Sequence, residues 1–118
     1  MPDVTIYHNP RCSKSRQTLK LVEDRKLEHT VVEYLKDPPT EDTLRSIVQA
    51  LGIDPQDLLR KKEQIFKEVC PGGDPAADEA IQLMVDHPKL IERPIVVVGD
   101  KAAVGRPPEN VLPLLPAD

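Results

Sequence analysis

Cys12 stands in the run VTIYHNPRCSKSR, residues 4–16, between an alternating apolar stretch and a polar one. The first reads as a strand and the second as the start of a helix. At a helix N-terminus the unpaired backbone N–H groups and the partial positive charge stabilise a thiolate. Arg11, Lys14 and Arg16 add positive charge around it. Such surroundings bring a thiol from a free pKa of about 8.5 to roughly 3.5–7.5, so the nucleophilic form is populated at neutral pH. Inert buried cysteines sit in apolar runs; Cys12, flanked by Arg11, Ser13 and Lys14, does not. It is the candidate nucleophile.

Ser15 occupies the place where a dithiol oxidoreductase carries its second cysteine, so no Cys-x-x-Cys disulfide can form. Cys12 must instead attack a substrate and be relieved by an outside thiol, or by Cys70 where the fold allows it. Cys70 lies between Val69 and Pro71 without a basic cluster, and reads as structural or incidental. His8 either orients or deprotonates the thiol, or is only the last residue of a strand. Asn9 and Pro10 shape the turn into the helix, and Ser13 or Ser15 is placed to hydrogen-bond the thiolate. Three arginines stand apart: Arg60 after Leu58 and Leu59, Arg93 before Pro94, and Arg106 after Gly105. Guanidinium groups bind tetrahedral oxyanions through paired N–H donors. Taken singly, each reads first as a solvated surface charge or ion pair. The cysteines and histidines lack the paired spacing of a zinc site.

The elements that must position these groups follow from periodicity. Val4 to His8 is a strand, Ser13 to about Lys26 a helix with Leu19 and Val22 inward, and Thr30 to Leu35 a second strand, together a βαβ unit. Thr40 caps a helix in which Leu44, Ile47, Val48 and Leu51 recur at helical spacing until Gly52. Asp54-Pro55 begins a short helix through Leu59, with Ile65, Phe66 and Val69 as a stripe beyond it. Asp74-Pro75 begins another with Ala77, Ala80, Ile81, Met84 and Val85, stopped at His87-Pro88. Ile95 to Val98 and Ala102 to Gly105 flank Gly99-Asp100-Lys101 as an antiparallel hairpin. That hairpin brings Arg93 and Arg106 near each other, at one edge of the sheet. Pro107 and Pro108 open a final segment in which Pro113 conflicts with a long regular helix.

With 118 residues the chain is expected to be a single domain, residues 1–118, with a helical insertion over about 40–88. Aromatic residues are only 3% and Trp is absent, so the core must be aliphatic. No apolar run approaches the ~20 residues of a membrane span, and no secretory signal is legible, so a cytoplasmic protein with free thiols is expected. The net charge of −4 argues against nucleic acid as a direct ligand. A small-anion site depends on its own arginines instead.

The segments YHNPRCSKSR (7–16), LLRKKE (58–63), ERPIVV (92–97) and GRPPE (105–109) resemble, in order and separation, the glutaredoxin-coupled arsenate reductase (ArsC) family. The resemblance implies a thioredoxin-like α/β fold: a mixed four-stranded sheet flanked by helices, with the helical insertion between a βαβ and a ββα half. It implies that Arg60, Arg93 and Arg106 bind the arsenic oxyanion near Cys12, that His8 matches a family histidine, and that Arg93-Pro94 is cis; Ser15, read from its place beside the thiol, is expected among the substrate-binding residues. It further implies an arsenate reductase with no bound cofactor, using glutathione as reducing co-substrate and glutaredoxin as partner. Two alternatives remain beside it. One is a glutathione-dependent thiol oxidoreductase. The other is a non-catalytic Spx-like regulator that binds RNA polymerase, although those proteins typically carry Cys-x-x-Cys where this chain has Ser15.

Overall fold

Val4 and Ile6 bury their side chains while Thr5 and Tyr7 are half-buried, the period-two pattern that makes β1 (Val4–Tyr7) a strand. The computed structural model describes residues 4–115 and divides the chain into two units. One takes the chain up to Asp37 and again from Arg93; the other is Pro38–Glu92.

In the first unit β1 pairs in parallel with β2 (His29–Val32) and antiparallel with β3 (Ile95–Val98), which pairs antiparallel with β4 (Lys101–Val104). The order is β2-β1-β3-β4. This is the mixed four-stranded sheet expected. β2 stops at Val32 rather than Leu35, and Tyr34 turns in to be buried beyond it. The hairpin closes through Gly99-Asp100 alone, with Lys101 already in β4. Gly99 has φ 62°, the positive φ that the first position of a type II′ turn requires.

One sheet face is aliphatic: Val4 and Ile6 lie opposite Val98 and Val96, and Val96 lies opposite Ala103. Val22 from α1 (Ser13–Asp24) and Val111 and Leu115 from the final segment complete this core, with Leu19 half-buried beside it. Each such side chain contributes roughly 1.5–3 kcal/mol on burial. α1 is two residues shorter than its apolar pattern, because Lys26 takes φ 58° without a glycine to announce it. The final segment Pro108–Leu114 is a 3-10 helix with Pro113 inside it, short rather than the long regular helix that Pro113, without an N–H to donate, conflicts with.

The second unit holds α2 (Glu41–Leu51), α3 (Gln64–Val69) and α4 (Ala77–Asp86), with 3-10 turns at Pro55–Leu58 and Pro88–Leu90. Thr40 caps α2 by accepting the Thr43 N–H at 3.2 Å, and Gly52 closes it. Leu44, Ile47 and Val48 of α2 and Ala80, Ile81 and Met84 of α4 are buried, and Arg45 ties the two helices by pairing with Glu41 and Asp78. An isolated bridge joins Leu59 to Ile91. Among the described residues, no helix is long and apolar enough to cross a membrane.

Candidate active site

The register places Tyr7, Ile95 and Val104 in line across three strands. The residues after Tyr7, before Ile95 and after Val104 therefore leave the sheet at one end. Those residues are the Cys12 loop, Arg93 and Arg106. The expected edge is thus an end of the sheet, since β3 is an inner strand.

The loop is built by its own polar groups. The Asn9 side chain accepts the Arg11 N–H at 3.0 Å, and the Cys12 N–H donates to the Asn9 carbonyl at 2.9 Å, which bends the chain into α1. Cys12 is the N-cap, extended at φ −96° and ψ 123°, and its carbonyl accepts the Arg16 N–H as the first helical bond. Ser15 is fully buried and accepts the Asn9 N–H at 3.3 Å through Oγ. Burial pushes the Cys12 thiol up, but the Ser15 and Lys14 N–H groups, the Ser15 hydroxyl and the Arg106 charge outweigh it, and its pKa is lowered.

Arg106 is the link between the hairpin and the thiol. Its Nη2 donates to Cys12 Sγ at 3.5 Å while its Nε donates to the Arg93 carbonyl at 2.7 Å. A planar guanidinium holds both directions at once. Nε and Nη1 of Arg93 are buried. The Arg93-Pro94 bond is cis, and so is Arg106-Pro107, which nothing in the sequence marks out.

His8 follows β1, its N–H donating to the Val32 carbonyl at 2.8 Å. Its side chain is buried, and Nδ1 has no hydrogen-bond partner among the described residues. Burial lowers its pKa, opposed by the charges of Glu33 and Glu23 and assisted by Arg16, so the imidazole is neutral at pH 7 and able to accept a proton. Arg60 belongs to the second unit, where its N–H donates to the Leu90 carbonyl and its side chain pairs with Glu63 at 2.7 Å and Glu92 at 3.7 Å. Cys70 is free and half-buried at the end of α3. His29 and His87, which lack any context in the sequence beyond that of surface residues, are half-buried.

Gly105 and Thr18 are not singled out by the sequence. A Cβ on Gly105 would press on the Thr18 side chain and lie 2.9 Å from Pro94 Cγ. The glycine lets β4 end against α1 and the proline. Its one legible signal is its place immediately before Arg106. Gly105→Ala is expected to destabilise the protein by about 1–3 kcal/mol as an overpacked site. A lower urea midpoint at unchanged slope checks this, and slower alkylation of Cys12 would report the displaced Arg106.

A second expectation concerns pH. Because the thiol pKa is lowered, the rate of carboxamidomethylation of Cys12 should fall to half its plateau at a lower pH than that of Cys12 in the unfolded protein. Arg106→Gln removes one stabilising charge, so its midpoint should move upward. A midpoint unchanged in the variant would remove Arg106 from the account of thiol ionisation.

A mixed four-stranded sheet with a cysteine at the N-terminus of its first helix and an arginine on the sulfur gives the class, an oxidoreductase of thioredoxin-like α/β fold. The chain belongs to the ArsC family, whose family model matches residues 7–114. It is 50% identical to the uncharacterised protein YfgD of Escherichia coli, across 95% of this chain and 96% of that one. It is 43% identical to an arsenate reductase of Neisseria meningitidis, across 94% and 97%. The structure of an arsenate reductase from Vibrio cholerae superposes with a TM-score of 0.90 at 45% identity, covering 97% of this chain and 98% of that one.

Proposed function

We propose that this protein is an arsenate reductase working through a covalent thioarsenate on Cys12. The observation that carries the reading is the Arg106 contact at 3.5 Å on a thiol that also faces the N–H groups of Lys14 and Ser15. Those donors suit a thiolate and an oxyanion together. Arg93 and Arg106 hold the arsenate, and the family resemblance extends the same task to Arg60. The Cys12 thiolate attacks arsenic, the As–S bond forms, and one oxygen leaves as water after protonation, with neutral His8 as the proton acceptor for the thiol.

Glutathione then adds its sulfur to arsenic as a second oxygen leaves as water, and a glutaredoxin thiolate attacks that sulfur, so that the bond from glutathione sulfur to arsenic breaks and its electron pair stays on arsenic. The new disulfide between glutathione and glutaredoxin supplies the two electrons that take arsenic(V) to arsenic(III). Arsenite departs on hydrolysis and Cys12 returns as thiolate. No bound cofactor enters the cycle, and the cytoplasm is the compartment that suits its thiol reductants.

The test is arsenite formed alongside NADPH consumed when the purified protein receives arsenate, glutathione, glutaredoxin and glutathione reductase. Turnover should require both thiol partners. If arsenite never forms while a glutathione mixed disulfide is turned over, the protein is a glutathione-dependent thiol oxidoreductase instead. If neither reaction occurs and RNA polymerase is retained from lysate, it is the Spx-like regulator.

A further inference from the structure

Charge is segregated along this acidic chain. It has 20 acidic and 16 basic side chains, yet residues 4–22 contain no Asp or Glu and carry Arg11, Lys14, Arg16 and Lys20. Lys20 is taken up by Asp24 one turn later, and Arg16 donates to the Pro10 carbonyl at 2.9 Å. The side chains of Arg11 and Lys14 have no ion pair among the described residues, and the first turn of α1 contains no acid. Arg11 is exposed and Lys14 half-exposed, immediately before and two residues after the buried sulfur of Cys12.

From this arrangement we infer that Arg11 and Lys14 form a docking rim for the carboxylates of the small acidic thiol that relieves Cys12. Glutathione carries its thiol near the middle of an extended tripeptide and a carboxylate at each end. Arg11 and Lys14 stand before and after Cys12 in the chain, the thiol that must meet that sulfur. The oxyanion has a different requirement, because it must reach the inner donors, the Lys14 and Ser15 N–H groups and Arg106. Long exposed side chains suit charges several ångströms from the reacting atom, and they raise the encounter rate of an oppositely charged ligand. The inference rests on the assignment of glutathione as reductant, and is tested without arsenate.

The probe reaction is thiol–disulfide exchange: the Cys12 thiolate attacks one sulfur of glutathione disulfide, the Cys12–glutathione disulfide forms, and the other half leaves as glutathione thiolate. Its rate is measured by intact mass for the wild type and for the Arg11→Gln/Lys14→Gln double variant. Cationic cystamine and neutral iodoacetamide are run in parallel. The variant should lose on the order of tenfold with glutathione disulfide at low ionic strength. Added salt should take the wild type toward the variant. Run at a pH above the thiol midpoint of both proteins, cystamine should be unchanged or faster, and iodoacetamide unchanged. An equal rate with glutathione disulfide in both proteins overturns the rim. A parallel fall with all three reagents also overturns it, because thiol ionisation rather than docking would then have changed. If the wild type reduces no arsenate yet keeps the charge preference, the function proposed above fails and the rim stands.

Discussion

Cys12→Ser is expected to abolish arsenate turnover and the thioarsenate adduct seen by intact mass, while Cys70→Ser keeps most activity. The two thiols differ in what surrounds them. Cys12 caps the N-terminal end of α1, where the orphan backbone groups are N–H donors, and Arg106 lies on its sulfur. Cys70 caps the C-terminal end of α3, where the orphan groups are carbonyls, and its own N–H is spent on Phe66. A serine hydroxyl ionises far above neutral pH, so the same donors cannot turn the substituted side chain into a nucleophile. If Cys70→Ser were dead with its fold intact, the cycle would contain an internal disulfide step and the outside-thiol mechanism would be wrong.

What the sequence made legible were features set by near neighbours. Thr40 and Gly52 bracket α2 because a hydroxyl cap and a left-handed stop act within one turn. The turn into the Cys12 loop was equally readable, since the Asn9 side chain and carbonyl accept from two and three residues ahead. The Arg93–Arg106 contact followed from hairpin geometry, although they lie thirteen residues apart. Long-range packing was not readable in that way. Nothing local marks Thr18 as the neighbour of Gly105 and Pro94, or turns Tyr34 inward after β2 has ended. Lys26 closes α1 in a conformation usually given to glycine, so the rule for helix stops had nothing to detect. Ser15 is legible as an aid to the thiolate; its second task, receiving the Asn9 N–H, depends on the folded loop.

Arg106→Lys keeps the charge and tests whether charge is enough. In the native protein one rigid group reaches the Arg93 carbonyl with Nε and the Cys12 sulfur with Nη2, and the same fork presents paired donors of the kind an oxyanion accepts. A lysine ammonium is a single point at the end of a flexible stem. It can serve the carbonyl or the thiolate, and it has no second fixed donor for arsenate. The expected loss in kcat is about 10²–10³, the range for removing one preorganised donor to a developing oxyanion. Arg93→Lys should fall in the same direction. Arg45→Lys, an exposed ion-pair residue of the second unit, should be near neutral for turnover. The alkylation profile separates the two parts of the Arg106 effect. A lysine that restores the thiol midpoint but not turnover assigns Arg106 chiefly to the oxyanion. Full activity in both Arg106→Lys and Arg93→Lys would mean that positive charge alone suffices, and the fork geometry would then have no part in catalysis.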